Sequence, residues 1–295
     1  MSFPTGARLV VFGCGYVGGA VARRAAAFGI EVTAFTRNAD TAQRLRADGI
    51  ATVEGDLASD AWHASVPAAD FVVNTVSSAG NGIDGYRHSY LNGMRSLLRW
   101  ASQHPAPRRA LYTSSTAVYP QDGGVVVDET SPTGGSERAD VLLAAERAFL
   151  EDEGLGDSRL VFRLAGIYGP GRRHLVDQVL AGEVSGSGSH HLNLIHRDDI
   201  SAAIFAALDE TRPLRREVLN LADDGAARKS DIVQWLSQRL GVPPPRFTGQ
   251  PASGRRTVTP DRIIANTRAK QQLGWRPQFA DFRAGYENVL AATAD

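Results

Sequence analysis

Residues 8–18 read Arg8-Leu9-Val10-Val11-Phe12-Gly13-Cys14-Gly15-Tyr16-Val17-Gly18. Four apolar residues run straight into three glycines spaced Gly-x-Gly-x-x-Gly, and a helical pattern, Val17 to Phe28, follows. A short apolar run reads as a buried strand, and a strand that turns through glycines into a helix is suited to hold a pyrophosphate. Gly13 permits the tight turn. Gly15 has no Cβ, so backbone can approach phosphate oxygens, and Gly18 lets the helix pack close to the strand. The helix start adds free N–H groups and the positive end of the helix dipole. The chain has 30 glycines, so the three alone carry little weight; the strand before and the helix after carry the reading. Dinucleotide binding is therefore expected at Gly13, Gly15, Tyr16, Val17 and Gly18.

Working outward, strand-like runs occur at Leu9–Phe12, Val32–Phe35, Ala51–Val53, Phe71–Val76, Ala110–Thr113 and Leu160–Leu164. Helical patterns lie between them, at Val17–Phe28, Ala39–Asp48, Tyr86–Gln103 and Ala139–Glu151. Such alternation predicts an α/β fold, a Rossmann-type doubly wound parallel sheet, with its ligand at the carboxyl ends of the strands. The second half changes character. Gly-Pro-Gly at 169–171 and Gly-Ser-Gly at 186–188 mark loops, and helical patterns recur at Asp198–Asp209 and Ser230–Leu240, with Ser230 as the expected N-cap. A strand-like Val218–Leu221 lies between these helices, and Pro243 to Pro260 reads as an exposed connection. The expected layout is a dinucleotide-binding Rossmann domain over 1–165 and a smaller substrate-binding region over 166–295, whose later segments can interleave with the first.

Composition narrows the class. The 295 residues are 43% hydrophobic and 22% charged, with zero net charge. No basic stripe points to nucleic acid and no polybasic segment to a membrane surface. The longest apolar runs, such as Ala202–Leu208, are too short to span a bilayer. The glycine motif begins within a dozen residues of Met1, which leaves no room for a cleaved signal peptide. The single cysteine, Cys14, excludes an internal disulfide and reads as a small packing residue. A cytoplasmic enzyme or binding protein is the expectation. Of the 32 basic residues only Lys229 and Lys270 are lysines, which leaves few lysines for catalysis.

The end of the second strand decides between nicotinamide cofactors. A carboxylate there binds the ribose 2′-OH, whereas an arginine pairs with a 2′-phosphate. This strand ends in Thr36-Arg37-Asn38, with no carboxylate, and Arg37 lies 19 residues after Gly18. The arginine fork can donate two hydrogen bonds to phosphate at once. NADP(H) is favoured over NAD(H); the other reading of Arg37 is a solvated arginine at a helix start. Asp56-Leu57 follows the third strand and is placed to meet the adenine, or to be an ordinary loop. Thr75 and Val76, in Asn74-Thr75-Val76-Ser77, end the fourth strand where it passes the ribose.

Several further segments carry a family resemblance: Gly55-Asp56-Leu57, Ser114-Ser115-Thr116-Ala117-Val118-Tyr119, Arg163-Leu164-Ala165-Gly166-Ile167-Tyr168-Gly169-Pro170-Gly171-Arg172, Ile195-His196-Arg197-Asp198-Asp199 and Leu273-Gly274-Trp275-Arg276-Pro277. With the glycine motif, they make the chain resemble the extended short-chain dehydrogenase/reductase superfamily, the group of NAD-dependent epimerases and dehydratases. The likeness runs over nearly the whole length. It implies a Rossmann sheet with a small C-terminal substrate domain, a dimer through two helices of the first domain, and in many members a nucleotide-sugar substrate. It also implies a catalytic tyrosine, a lysine four residues later, and a serine at the preceding strand end. The serine position falls on Ser115. The Tyr-x-x-x-Lys pair is missing. The family's Leu-x-x-Glu pattern fits Leu143-Ala144-Ala145-Glu146, which puts Arg138 at the tyrosine and Leu142 at the lysine; no tyrosine stands between Tyr119 and Tyr168. Arginine stays protonated near neutrality and cannot act as a proton acid at useful rates. The chain therefore resembles atypical members with an intact cofactor site and a degraded catalytic tetrad.

Three residues remain as candidates beside Ser115. Tyr168 follows the sixth strand and either faces the cleft as a catalytic group or packs to shape the loop. His196 can titrate near neutrality, although the resemblance gives its segment a structural role. Arg138 can bind an anionic group or steady an oxyanion, or be a solvated helix residue. His190-His191 invites a metal reading, but adjacent rings in an extended segment point apart and no ligand partner stands at suitable spacing, so no metal is expected. A Ser115–His196–Asp hydrolase triad is discounted because the serine lacks the G-x-S-x-G elbow. Two functions stay open: an NADP(H)-dependent oxidoreductase or epimerase-like enzyme on a small carbonyl or sugar-like molecule, and a non-catalytic NADP(H) sensor.

Overall fold

Strand β1 (Arg8–Phe12) sends Leu9 and Val11 into one hydrophobic cluster and Val10 and Phe12 into another. β4 (Phe71–Asn74) divides in the same way, with Phe71 and Val73 on one side and Val72 on the other. Both faces of these strands are covered, which is why they read as continuous apolar runs rather than alternating ones. The computed structural model describes residues 3–78, 82–250 and 260–292.

The first half continues with α1 (Tyr16–Ala27), β2 (Glu31–Thr36), α2 (Ala39–Ala47), β3 (Ala51–Glu54), α3 (Gly82–Tyr86), α4 (Gly93–Ala101), β5 (Arg109–Ser115), β6 (Val125–Val127), α5 (Glu137–Glu151) and β7 (Arg159–Leu164). Next come β8 (Gly166–Tyr168), α6 (His174–Leu180), β9 (Glu183–Val184), β10 (His191–Leu192), β11 (Leu194–His196), α7 (Arg197–Leu208) and β12 (Arg216–Leu221). The last elements are β13 (Ala227–Arg228), α8 (Lys229–Leu240), β14 (Arg246–Phe247), β15 (Arg262–Ile264), α9 (Thr267–Leu273) and α10 (Phe282–Ala291).

Seven strands form one parallel sheet in the order β12-β7-β5-β4-β1-β2-β3. The chain reverses direction across the sheet between β1 and β4. In such sheets that switch point opens the ligand crevice. β12 joins the sheet beside β7, and α7 packs against α1, so the second half of the chain completes the first. A separate hydrophobic cluster, including Tyr168, Val176, Val184, Leu236, Phe282 and Tyr286, holds the C-terminal elements together.

Some boundaries depart from the sequence reading. The fourth strand stops at Asn74, because Thr75 leaves the ladder and its hydroxyl donates to the Gly13 carbonyl at 2.9 Å. The expected Tyr86–Gln103 helix starts earlier, at Gly82, and contains a π-helical segment over Arg87–Asn92. Ser230 is not an N-cap: α8 starts at Lys229 after Arg228, and the Ser230 hydroxyl donates to Asp231 instead. The Pro243–Pro260 connection carries β14, and its residues 251–259 lie outside the described residues.

Beneath the carboxyl end of β5 lies a buried polar network. Arg163 donates to both Glu146 oxygens, at 2.7 Å from Nη2 to Oε2, and to the Tyr119 hydroxyl at 3.0 Å. Ser114 donates to Glu146 at 2.5 Å, and Tyr119 donates to Asn220 at 2.8 Å. The network ties α5, β5, β7 and β12 together behind Ser115. Removing one partner of a buried pair strands the other charge and typically costs about 3–5 kcal/mol. Glu146→Gln should lose stability on that scale in urea unfolding, while Glu146→Leu combined with Arg163→Met should regain much of it; a single-variant loss below about 1 kcal/mol would show that the pair is not holding these elements.

Candidate dinucleotide site and adjoining chamber

The glycine turn is fixed by its neighbours. Gly13 and Cys14 donate their N–H groups to the Phe35 carbonyl at the end of β2, at 2.9 and 3.0 Å. Gly13 has φ 81°, which glycine adopts without strain. A Cβ on Gly13 would stand 2.5 Å from the Val76 nitrogen, and one on Gly18 would stand 2.5 Å from the Gly13 carbonyl oxygen. Gly15 differs. A Cβ there would meet nothing nearer than the Gly13 oxygen at 4.0 Å, so the space before it is open. Gly15 is also the N-cap of α1, no side chain caps that helix, and no acidic residue stands in its first turn. Its leading N–H groups therefore face open space without a side-chain acceptor, as an anion site requires. The residues present fit a dinucleotide pyrophosphate. Cys14 is buried, donates its Sγ to Val11, and has its thiol pKa pushed by burial to about 12, so it packs and does not react.

At the end of β2, Thr36 and Asn38 shape the turn: Thr36 Oγ1 accepts from the Asn38 N–H, and Asn38 caps α2 by accepting from the Thr41 N–H at 2.8 Å. Between them Arg37 is exposed. Asp56 accepts from the Ala58 N–H and pairs with His88 at 2.6 Å. Burial alone would raise its carboxyl pKa, but the His88 and Ala58 hydrogen bonds and the charges of His88 and Arg37 bring it below the usual value. The Leu57 side chain is buried against Gly93, so only its backbone is available at this edge. A groove of about 740 Å³ includes Cys14, Gly15, Thr41 and Arg44. Arg44 did not emerge from the sequence; its place one turn into α2 was the available signal.

Past the glycine turn, a chamber of about 1130 Å³ opens between the sheet and the C-terminal elements. Tyr16, Val17, Thr75, Val76 and Ser115 all line it. Ser115 Oγ accepts from the Ala117 N–H at 3.1 Å, which leaves its own hydrogen free to donate. Tyr16 donates to the Pro170 carbonyl at 3.0 Å and lies beneath Arg172 and Arg197. The π-helical segment sends His88 to Asp56 and Tyr90 to the Ser78 N–H, contacts that a straight helix pattern does not reveal.

The other candidates are placed as follows. The Tyr168 ring is buried beside Tyr286 and His196, and a Cβ on Gly285 would overlap its hydroxyl, so α10 closes directly on it. Burial, then the nearby Asp223, pushes this phenol well above its ordinary pKa. His196 is fully buried, caps α7 by accepting from the Asp198 N–H at 3.2 Å, and lies tilted against Phe279 with ring centres 3.9 Å apart. Its pKa is lowered, chiefly by burial. Leu142 is 1% exposed, inside the core. Arg138 lines the chamber with its guanidinium 5.1 Å from the Tyr86 ring centre. His191 pairs with Asp261 at 2.7 Å. Among the described residues, no group of three or more His, Cys, Asp or Glu side chains is placed to hold a metal ion, and no helix is long and apolar enough to cross a membrane.

A sheet of this order with this glycine turn defines a Rossmann-type dinucleotide-binding protein. The sequence pattern of the NAD-dependent epimerase/dehydratase family matches residues 9–222, and the chain belongs to that family. Protein YeeZ of Escherichia coli (strain K12) is 28% identical over 279 residues, covering 93% of this chain and 97% of that protein. A 3-diazoavenalumate denitrifying reductase of a Streptomyces species is 29% identical over 211 residues, 65% of this chain and 68% of that protein. MoeE5, solved in complex with UDP-glucose and NAD, shares the fold with a TM-score of 0.82 at 22% identity, over 98% of this chain and 99% of that one.

The two glycines make opposite predictions. Gly15→Ala should leave the melting temperature nearly unchanged but weaken dinucleotide binding about tenfold or more in calorimetric titration, since the new methyl occupies the phosphate space. Gly18→Ala should lower the melting temperature by several degrees, because the methyl meets backbone. Equal dinucleotide affinity in Gly15→Ala would remove the pyrophosphate from this turn.

Proposed function

We propose that the protein is an NADP(H)-dependent oxidoreductase or epimerase-like enzyme acting on a small carbonyl or sugar-like molecule. The observation that carries this reading is the open space before Gly15, which leads directly into a chamber where Ser115 has a hydroxyl hydrogen to donate. The dinucleotide, when bound, supplies or accepts hydride. The chain itself binds and orients. The first N–H groups of α1 hold the pyrophosphate, Arg37 pairs with the 2′-phosphate, and Ser115 donates to the substrate oxygen. Tyr168 packs the chamber wall rather than moving a proton, in view of α10 against its hydroxyl. Arg138 and Leu142 cannot supply the proton that a tyrosine–lysine pair would, so the proton comes from water or from the substrate. The reading carries with it a cytoplasmic protein, dimeric through helices of the first domain, with a small molecule as its partner and no nucleic acid.

NADPH should bind more tightly than NADH, and Arg37→Ser should remove that preference by weakening NADPH about tenfold while sparing NADH. Equal or tighter binding of NADH to the unaltered protein would overturn the cofactor assignment.

The substitution of Arg138 and Leu142 for a proton-moving pair also favours a second reading, a non-catalytic NADP(H) sensor. Loss of NADPH absorbance across a panel of carbonyls and nucleotide sugars separates the two. On the enzyme reading some member of the panel turns over, and Ser115→Ala abolishes that turnover with little change in NADPH affinity. Tight NADPH binding with no turnover supports the sensor, and activity that survives Ser115→Ala refutes the role given to Ser115.

A further inference from the structure

Arg138 occupies a position that local electrostatics disfavours. It is the second residue of α5, a helix of 15 residues whose N-cap is Ser136, and the N-terminal end of a helix repels cations. Its neighbours obey the rule: Glu137 and Asp140 stand in the same turn, and Glu137 pairs with Arg87 at 2.6 Å. Arg138 has no direct ion pair or hydrogen bond among the described residues; its guanidinium rests over the Tyr86 ring. The side chain is half-buried and lines the chamber that also holds Ser115. The chamber's acids are engaged elsewhere: Asp261 takes the His191 N–H and ring, and Asp122 accepts the Asp261 N–H at 2.6 Å. A half-buried cation with no counter-charge, seated where a helix end already draws anions, is an incomplete pair.

The geometry points to Arg138 as the residue that binds an anionic oxygen group of the substrate, a carboxylate or a phosphate carried close to the reacting carbon. This deepens the oxidoreductase reading and rests on it for the identity of the neighbouring reaction, since it turns the small carbonyl compound into an oxo acid or a phosphorylated carbonyl. The planar fork can donate two parallel hydrogen bonds to either group, with the Tyr86 ring beneath the guanidinium. Ser115 then meets the neutral oxygen of the same molecule. The fixed charge at Arg138 selects the substrate without exchanging a proton.

Calorimetric titration of the full-length protein with oxamate and with methyl phosphate tests this, each with and without NADPH. The expected result is binding of at least one of the two probes, weakened at least tenfold in Arg138→Gln and partly kept in Arg138→Lys. Arg147→Gln, an exposed change on the same helix outside the chamber, should bind like the unaltered protein. The probe that binds identifies the group as carboxylate or phosphate. The melting temperature of Arg138→Gln should be equal or higher, because a cation leaves a helix N-terminus. Failure of both probes to bind, or equal affinity in Arg138→Gln, would overturn the assignment. Probe binding that depends on Arg138 in a protein that binds no NADPH would keep the anion site and sink the dinucleotide reading instead.

Discussion

The structure depends on how the Gly13–Gly18 turn is clamped between the ends of β2 and β4. From one side Phe35 accepts two of its N–H groups; from the other Thr75 donates to the Gly13 carbonyl. Gly13 and Gly18 are glycines because backbone stands where their side chains would go, whereas Gly15 faces empty space. The clamp aims the start of α1 into the crevice where the sheet changes direction. Everything beyond it, the chamber included, is built from segments that return to this edge.

Those returning segments explain why the second half of the chain is not an appendage. β12 extends the sheet, α7 covers α1, and Asn220 of β12 closes the polar network that reaches back through Tyr119 and Arg163 to Glu146. That network stabilises the strand end carrying Ser115, so the rigidity of the site derives from buried hydrogen bonds rather than from the loop itself. On the same helix, Arg138 stands at the chamber wall while Leu142 lies in the core.

Local and periodic features were legible in the sequence. The apolar runs of β1, β2, β5 and β7 and the glycine spacing are set by neighbours a few residues away, and the fold class follows from them. Features decided by distant contacts were not. The π-helical segment answers to Asp56 and Ser78, tens of residues or a chain turn away, and no periodicity marks it. Ser230 has the residue type of a cap, yet α8 starts one residue earlier, where Lys229 is held by the His190 carbonyl. Tyr168 follows a strand, and α10, from the far end of the chain, packs against its hydroxyl, a contact that no local pattern marks. Arg44 needed the fold of α2 over the turn before it could be seen beside Gly15.

The most direct test is a crystal structure of the protein grown with NADPH. It should show the pyrophosphate against the N–H groups of Gly15 and the first turn of α1, and the Arg37 guanidinium on the 2′-phosphate. Dinucleotide bound elsewhere, or Arg37 turned to solvent beside an occupied turn, would contradict the account.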